Sequence, residues 1–159
     1  MSVNLFVIYY YVRYVFSLDL RNNFITALTE FTLRDLTSLR YLFLSNNRIY
    51  TIDKRTFRSL PNLLYLVLKG NPLQEVTRFY FYAPSSLSYI DLSECSLSQL
   101  PSGLPLSIRY LQMRRNNVTS LTSGAFKECP DVNIVVLDEN RIETIDDDSL
   151  SGLRRLQQV

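Results

Sequence analysis

The chain has 159 residues, 27 of them leucine, and a net charge of +2 from 17 basic and 15 acidic side chains. This length accommodates one domain or a run of small repeats, and so small a charge does not attract nucleic acid or an anionic lipid surface. The sequence has no histidine and only two cysteines. It therefore excludes histidine-based catalytic sets, histidine-ligated zinc, a four-cysteine metal site and a disulfide framework. We expect no cofactor, no metal and no nucleic-acid partner.

The first segment, from Leu5 to Phe16, is almost entirely apolar but too short to span a bilayer. It fits a signal peptide, a shortened membrane anchor or the outer part of a preceding repeat. A signal peptide usually begins with positive charge and is not interrupted by a residue such as Arg13. The repeat interpretation rests on spacing, because three apolar residues precede Asn23 as three others precede Asn71. These are Tyr9, Val12 and Val15 in the first case and Phe57, Leu60 and Leu63 in the second.

A 14-residue pattern, L-x-x-L-x-L-x-x-N-x-I-x-x-I, recurs along the rest of the chain. Most copies are 24 residues apart and one follows after 21. Six copies are complete and begin at Val15, Leu39, Leu63, Leu87, Ile108 and Val132, and Leu156 with Val159 begins a seventh. The alternation in L-x-L predicts one strand per copy, near residues 15–20, 39–44, 63–68, 87–92, 108–113 and 132–137. We expect a single domain over 1–159, with partial repeats at 1–14 and 150–159.

The segments between copies carry apolar residues at a spacing of three, as in Phe57, Leu60 and Leu63. This spacing predicts a tight 3₁₀-like or irregular segment rather than a long helix. Each repeat would then consist of one strand and one irregular return segment. No such repeat can bury its apolar face alone, so stacking must create the core.

These residues resemble the leucine-rich repeat family over nearly the whole chain. The 24-residue spacing with Phe57 and Phe126 in the outer segments is similar to Toll-like receptor ectodomains, Slit-like proteins and small leucine-rich proteoglycans. The short copy containing Leu100 to Pro105 resembles the short repeats of proteoglycans and Toll-like receptors. The resemblance implies an α/β solenoid, a right-handed superhelix with a parallel sheet on the concave face and irregular or 3₁₀ segments on the convex face.

The same resemblance implies a protein-binding module whose partner docks on the concave face. The setting would be an extracellular or cell-surface protein of recognition, adhesion or innate immunity. The alternative is an intracellular, cytoplasmic scaffold or inhibitor on the same fold. An enzyme is not expected, because the sequence lacks histidine, a Gly-rich phosphate loop, a metal cluster and a nucleophile motif.

The ninth place of the pattern has a structural role. The chain turns there, and a buried amide can both donate to and accept from the inward-facing backbone of its own and the neighbouring repeat. The residues at this place are Asn23, Asn47, Asn71, Cys95, Asn116 and Asn140. In the family, cysteine is the usual substitute at this place. We expect Cys95 and Cys129 to be buried thiols that are too far apart to form a disulfide.

The third and fifth places of the pattern lie on the outward face of the predicted sheet. The third place aligns four tyrosines in adjacent strands, about 4.8 Å apart, and the fifth place adds two apolar side chains. The proposed ligand-binding residues are therefore Tyr41, Phe43, Tyr65, Val67, Tyr89 and Tyr110. Such a patch is typical of a protein interface, but a tyrosine ladder can also serve only to cover the sheet by cross-strand packing.

Arginines cluster at Arg109, Arg114 and Arg115. We interpret them as partners of acidic residues in neighbouring strands rather than as a nucleic-acid site. Arg115 is expected between Glu94 and Glu139, and Arg114 beside Asp138. The acidic run 146–148 is interpreted as a solvated turn, because its spacing does not match a calcium loop.

Asn117, Val118 and Thr119 form an acceptor triplet for N-linked glycosylation. Because Asn117 follows the ninth-place Asn116, its side chain is expected to face solvent.

Both ends lack a capping module, whereas extracellular members of the family usually carry disulfide caps. An uncapped solenoid exposes core and sheet edge. The sequence is therefore expected to be a fragment, a curtailed product or a unit that self-associates through its open ends. Membrane attachment would need a segment outside this chain.

Overall fold

The structure is a computed structural model that describes residues 14–73, 76 and 85–157. The predictions for the first 13 residues, with Tyr9, Val12 and Arg13, and the prediction for Val159 lie outside the described residues. Among the described residues, no helix has the length and apolarity needed to cross a bilayer.

Ten short strands follow one another along the described chain, with one 3₁₀ helix at Thr56–Ser59. The strands are β1 (Ser17–Asp19), β2 (Ala27–Leu28), β3 (Tyr41–Phe43), β4 (Thr51–Ile52), β5 (Tyr65–Val67), β6 (Tyr89–Asp91), β7 (Tyr110–Gln112), β8 (Ser120–Leu121), β9 (Ile134–Val136) and β10 (Thr144–Ile145). Six of them, one from each complete copy of the pattern, form a sheet in the order β1-β3-β5-β6-β7-β9.

All neighbouring strands of this sheet are parallel and in the register of the sequence repeat. Ser17 pairs with Tyr41, Tyr41 with Tyr65, and the series continues without a slip through Tyr89 and Tyr110 to Ile134. The prediction of a parallel-stranded leucine-rich repeat solenoid with irregular and 3₁₀ return segments is confirmed. Two further parallel pairs, β2 with β4 and β8 with β10, were not predicted. They form after the ninth-place turn.

The core consists of the inward leucines of each strand and the apolar residues of the return segments. Leu42, Leu44 and Leu66 are fully buried, whereas Tyr41 lies on the opposite face and is exposed. Phe57 and Phe126 fill equivalent places in two return segments and are also buried. The buried residues form one continuous cluster, so each repeat depends on its neighbours for burial.

Ninth-place asparagines join neighbouring repeats through their amide groups. Asn71 is 1% exposed. Its Oδ1 accepts the Ile49 N–H at 3.0 Å, and its Nδ2 donates to the Leu44 and Leu68 carbonyls at 3.0 and 2.7 Å. One side chain therefore satisfies backbone groups of two repeats. Asn47, Asn116 and Asn140 make the equivalent bonds to their own and the preceding repeat.

Burial of the ninth place was predicted for every copy. The prediction is wrong for Asn23, and Asn140 is only half-buried. Asn23 is exposed, and its Nδ2 donates only within its own repeat, to Leu20 and Arg21. The physical reason is that β1 is the first strand of the described sheet. No preceding repeat within the described residues covers this amide.

Cys95 occupies the ninth place without an amide. Its Sγ–H lies 3.4 Å from the carbonyls of Leu68 and Ser93, which reproduces the donor role. A thiol offers only a weak acceptor, so Leu73 N–H, whose counterparts bond to an asparagine Oδ1, instead donates to the Asn71 carbonyl at 2.9 Å. We call the series of hydrogen bonds made by the ninth-place side chains the ladder. The ladder therefore loses one bond between neighbouring repeats at Cys95.

The residue before each ninth place has a left-handed backbone. The φ values lie between 55° and 72° for Asn22, Asn46, Gly70, Glu94, Arg115 and Glu139. This conformation turns the chain out of the strand, and it costs non-glycine residues free energy. At Gly70 a Cβ atom would lie 2.5 Å from Asn46 Oδ1, so a larger residue there would displace the Asn46 side chain.

Replacing Asn71 with leucine should lower the free energy of unfolding by about 1–3 kcal/mol, because buried backbone groups in two repeats lose their partners. Asn71→Cys places at this position the residue that occupies it in the Cys95 copy. It should lower the free energy of unfolding by less than leucine does, because the thiol retains a hydrogen-bond donor. Urea unfolding followed by circular dichroism measures both. A leucine variant as stable as the wild type would show that the amide bonds do not hold the repeats together.

Candidate functional site

Four tyrosines form a row across the exposed face of the six-stranded sheet. We call Tyr41, Tyr65, Tyr89 and Tyr110 the tyrosine row. Successive ring centroids lie 5.3, 5.1 and 6.3 Å apart, with interplanar angles of 31°, 20° and 36°. The spacing follows from the strand register, since each tyrosine pairs directly with the next. The sequence-predicted residues are therefore adjacent in space.

Tyr65 and Tyr89 are stacked and the other two pairs are tilted, so neighbouring rings cover part of one another's faces. Tyr41, Tyr65 and Tyr110 remain 37–38% exposed, and Tyr89 is partly buried. What remains accessible is largely ring edge and hydroxyl, which carry the positive part of the ring quadrupole and a hydrogen-bond donor. Burial, Asp91 and Tyr65 raise the pKa of Tyr89, so its hydroxyl keeps its proton at neutral pH. The row can donate to carbonyl or carboxylate oxygens.

The fifth-place residues flank the row on β3 and β5. Phe43 and Val67 are half-buried and pair across the two strands. The guanidinium of Arg21 lies 5.5 Å from the centre of the Phe43 ring and also binds Asp19. That hydrogen-bonded pair lowers the pKa of Asp19 to about 2. The apolar part of the face is thus centred on β3 and β5.

Charged side chains alternate in sign just beyond the strand ends. We call Lys69, Glu94, Arg115 and Glu139 the ionic column. The Arg115 guanidinium lies 2.6 Å from Glu139 and 3.5 Å from Glu94, and Lys69 lies 3.4 Å from Glu94. Arg114 binds Asp138 at 2.8 Å. These pairs confirm the prediction made for Arg114 and Arg115, and Arg114 additionally binds Glu139.

The third arginine of the predicted cluster, Arg109, lies 3.5 Å from Asp131 and donates to the Leu106 and Ile108 carbonyls. All three arginines therefore have acidic partners within the fold. Hydrogen bonds from Arg115 and Arg114 lower the pKa of Glu139 to about 2. The basic cluster is an ion-pair network.

Sequence reasoning missed a set of arginines that stack on exposed phenylalanines. Arg40 lies 5.5 Å from the Phe16 ring centre and Arg48 lies 4.7 Å from that of Phe24. Each pair joins equivalent places of two adjacent repeats, 24 residues apart. An aromatic residue and an arginine at the same place in successive copies was the signal that could have revealed them. The stacking partly covers the Phe16 and Phe24 rings, which are 52% and 74% exposed.

Neither cysteine has the environment of a reactive thiol. Cys95 and Cys129 are buried and not joined in a disulfide, as predicted. Burial raises their pKa values to about 12 and about 11 respectively, and a protonated buried thiol is a poor nucleophile and metal ligand. Among the described residues, no group of three or more cysteine and acidic side chains is arranged to hold a metal ion.

Asn117 lies in the turn between β7 and β8. Its backbone N–H donates to the Leu97 carbonyl at 2.7 Å, and the residue is half-buried. Thr119, two residues on, is exposed. In the acidic run, Asp146 Oδ2 accepts the Ser123 N–H at 2.9 Å.

The repeat architecture is matched by known families. Residues 13–73 and 106–159 match a family model described as leucine rich repeat, and residues 86–106 match a second model with that description. The first model alone covers more than half of the chain. The chain therefore belongs to the leucine-rich repeat family.

Its relatives include proteoglycans and a Toll-like receptor. Podocan of Mus musculus is 31% identical over 77 residues, which are 47% of this chain and 13% of podocan. Keratocan of Mus musculus is 29% identical over 75 residues, 46% of this chain and 21% of keratocan. Toll-like receptor 2 of Cricetulus griseus is 34% identical over 60 residues, 38% of this chain and 8% of the receptor. The chain spans less than a quarter of the length of these relatives.

The fold is shared by solved structures that include the following two. A TLR13 chain in a complex with ssRNA13 superposes with a TM-score of 0.81 at 23% identity, covering 87% of this chain and 20% of that one. A chain from an octameric complex of Latrophilin 3, Unc5D and FLRT2, with FLRT2 contributing leucine-rich repeats, gives 0.77 at 26% identity. It covers 90% of this chain and 44% of that one.

The carboxyl of Glu139 should titrate near pH 2 rather than near its ordinary 4.5, because two guanidinium groups stabilise its charged form. A lowered pKa contributes stability above pH 4.5, and this contribution is lost as the pH falls through about 2. NMR titration of the side-chain carboxyl measures it. In Arg115→Gln the midpoint should move toward 4.5, and an unchanged midpoint in that variant would contradict the assigned cause.

Proposed function

We propose that this chain is a protein-recognition module of an extracellular or cell-surface protein, and that its partner docks on the tyrosine row. The observation that carries the proposal is the exposed, in-register stack of Tyr41, Tyr65, Tyr89 and Tyr110 on one rigid sheet. Tyrosine offers a large amphipathic contact area with few rotatable bonds, and it is enriched among the residues that dominate binding energies.

Mutual stacking of the rings supports an interface as well as packing. Each ring is already held by its neighbours at 5.1–6.3 Å, so little side-chain freedom remains to be lost on binding. Phe43 and Val67 add an apolar flank beside Tyr41 and Tyr65, where a partner can exclude water. The exposed hydroxyls supply donors for a partner's carbonyl or carboxylate oxygens. Packing alone would leave these donors facing solvent with no further role.

The proposed setting is supported by the relatives. Podocan and keratocan are proteoglycans and Toll-like receptor 2 is a receptor, while the FLRT2 complex pairs leucine-rich repeats with other proteins. A single-stranded RNA partner, as in the TLR13 complex, is disfavoured. The arginines nearest the strand ends are neutralised by Glu94, Asp138 and Glu139, and phosphate binding needs available positive charge. The cytoplasmic scaffold is the competing setting, and glycosylation distinguishes the two.

The double variant Tyr65→Ala with Tyr89→Ala should weaken binding by at least about 2 kcal/mol, the loss typical of a binding hot spot. Purified cell-surface ectodomains are screened against the immobilised wild-type chain, and each binder is then measured against the variant by biolayer interferometry. Circular dichroism should be nearly unchanged, since these side chains lie outside the core.

The matched control is Tyr50→Ala. Tyr50 is 62% exposed but lies outside the six-stranded sheet, so its removal should leave binding intact. Equal binding by wild type and the double variant would exclude the tyrosine row as the interface. A loss of the same size in Tyr50→Ala would place the interface elsewhere.

A further inference from the structure

Asn117 is the acceptor of the only Asn-X-Ser/Thr triplet in the 159 residues. Ten other asparagines are present, and none has serine or threonine two residues later. The sequence therefore offers a single position for N-linked sugar. Whether the folded chain can carry a sugar there depends on the contacts of the Asn117 amide.

Asn117 and its neighbour Asn116 differ in burial and in hydrogen bonding. Asn116 is 5% exposed, and its Nδ2 donates to the carbonyls of Leu92 and Met113 at 2.9 Å. A sugar on that nitrogen would break bonds that hold two repeats together. Asn117 is half-buried, and its side chain makes no hydrogen bond to any described residue. Its Nδ2 is available without cost to the fold.

The backbone around Asn117 is fixed by hydrogen bonds on both sides. Asn117 N–H bonds to Leu97 O at 2.7 Å, Val118 N–H to Asn140 Oδ1 at 3.1 Å, and Thr119 O accepts the Glu143 N–H at 2.9 Å. Val118 is buried between the two exposed or half-buried residues of the triplet. The triplet is thus held with its acceptor at the surface.

The surroundings also leave room for a sugar. In the adjacent copies the equivalent places hold Ser96 and Arg141, and both are exposed. In the first two copies the same place holds Phe24 and Arg48, which stack at 4.7 Å and close the surface. Asn117 therefore lies at an open part of this edge, several residues beyond Tyr110 and outside the strands that display the tyrosine row.

We propose that Asn117 is N-glycosylated, and that the glycan covers this edge of the solenoid while leaving the tyrosine row free. The inference rests on the proposed extracellular setting, because the reaction takes place in the secretory pathway. The donor is a lipid-linked oligosaccharide pyrophosphate. The Asn117 Nδ2 forms a bond to the sugar C1, the C1–O bond to pyrophosphate breaks, the lipid pyrophosphate leaves with the electron pair, and the amide loses one proton.

The test expresses the full chain behind a cleavable secretion leader in a mammalian host, with intact mass measured before and after peptide-N-glycosidase. Wild type should carry a glycan whose removal converts residue 117 to aspartate. Asn117→Gln and Thr119→Ala should carry none. Thr119→Ser is the matched control, since it keeps the triplet and should remain modified. Circular dichroism verifies that each variant is folded.

The outcomes distinguish the two proposals. A secreted but unmodified wild-type chain overturns glycosylation and leaves recognition through the tyrosine row intact. A glycan that persists in Asn117→Gln overturns the assigned site. A wild-type chain that is unmodified and retained inside the cells overturns glycosylation and also counts against the extracellular setting. A glycan that persists in Thr119→Ala would show that the Asn-X-Ser/Thr triplet does not direct the modification.

Discussion

The bond between a ninth-place amide and the backbone of the preceding repeat is the interaction on which this structure depends. Each strand ends in a turn that points polar backbone groups at the core, where water cannot reach them. One asparagine accepts from the repeat before it and donates to carbonyls of both repeats, as Asn71 does between Leu44 and Leu68. Burying these groups unpaired would cost about 1–3 kcal/mol each. The left-handed residue before the asparagine, Gly70 in this copy, turns the backbone so that the amide can reach.

The candidate site is a consequence of this ladder. Because the amides keep every repeat in the same phase, equivalent places line up exactly across the sheet, and a tyrosine repeated every 24 or 21 residues becomes a stack. The ionic column arises in the same way, since Glu94, Arg115 and Glu139 share the left-handed place. Surface residues at equivalent places of successive repeats therefore form columns across such a solenoid. The residues of one column can change without altering the core.

This regularity explains how much was predictable from sequence. The six strands, their parallel order, the tyrosine row and the Arg115 pairs follow from the period alone, because a fixed phase converts sequence spacing into spatial neighbours. The arginine–phenylalanine stacks also join residues of equal phase, but phase alone does not show that two exposed side chains at neighbouring places stack. The two small parallel pairs were missed because their strands have only two residues, as in Ala27–Leu28, too short to show alternation. Exposure of Asn23 was missed because periodicity treats every copy alike, whereas burial depends on which neighbours are present.

The copy that contains Cys95 is the place where the ninth-place ladder and the strand pairing of the tyrosine row can be compared. Its thiol cannot replace the amide acceptor, so the Leu73 N–H bonds within its own turn, and Ser96 takes a second left-handed conformation that no equivalent residue in the other described copies adopts. Cys95 belongs to the short copy, which has 21 residues from Leu87 to the start of the next copy at Ile108. Tyr89 nevertheless remains in register with Tyr65 and Tyr110 through the strand pairing of the sheet. The weakened ladder junction joins the Asn71 and Cys95 copies, and across it the Tyr65 and Tyr89 rings lie 5.1 Å apart. The wider separation of 6.3 Å, between Tyr89 and Tyr110, falls at the junction after the shortened copy, where Asn116 keeps its bonds. Two separate sets of bonds thus hold the solenoid. The sheet keeps the tyrosine row continuous both where the ladder loses a bond and where one copy has 21 residues instead of 24.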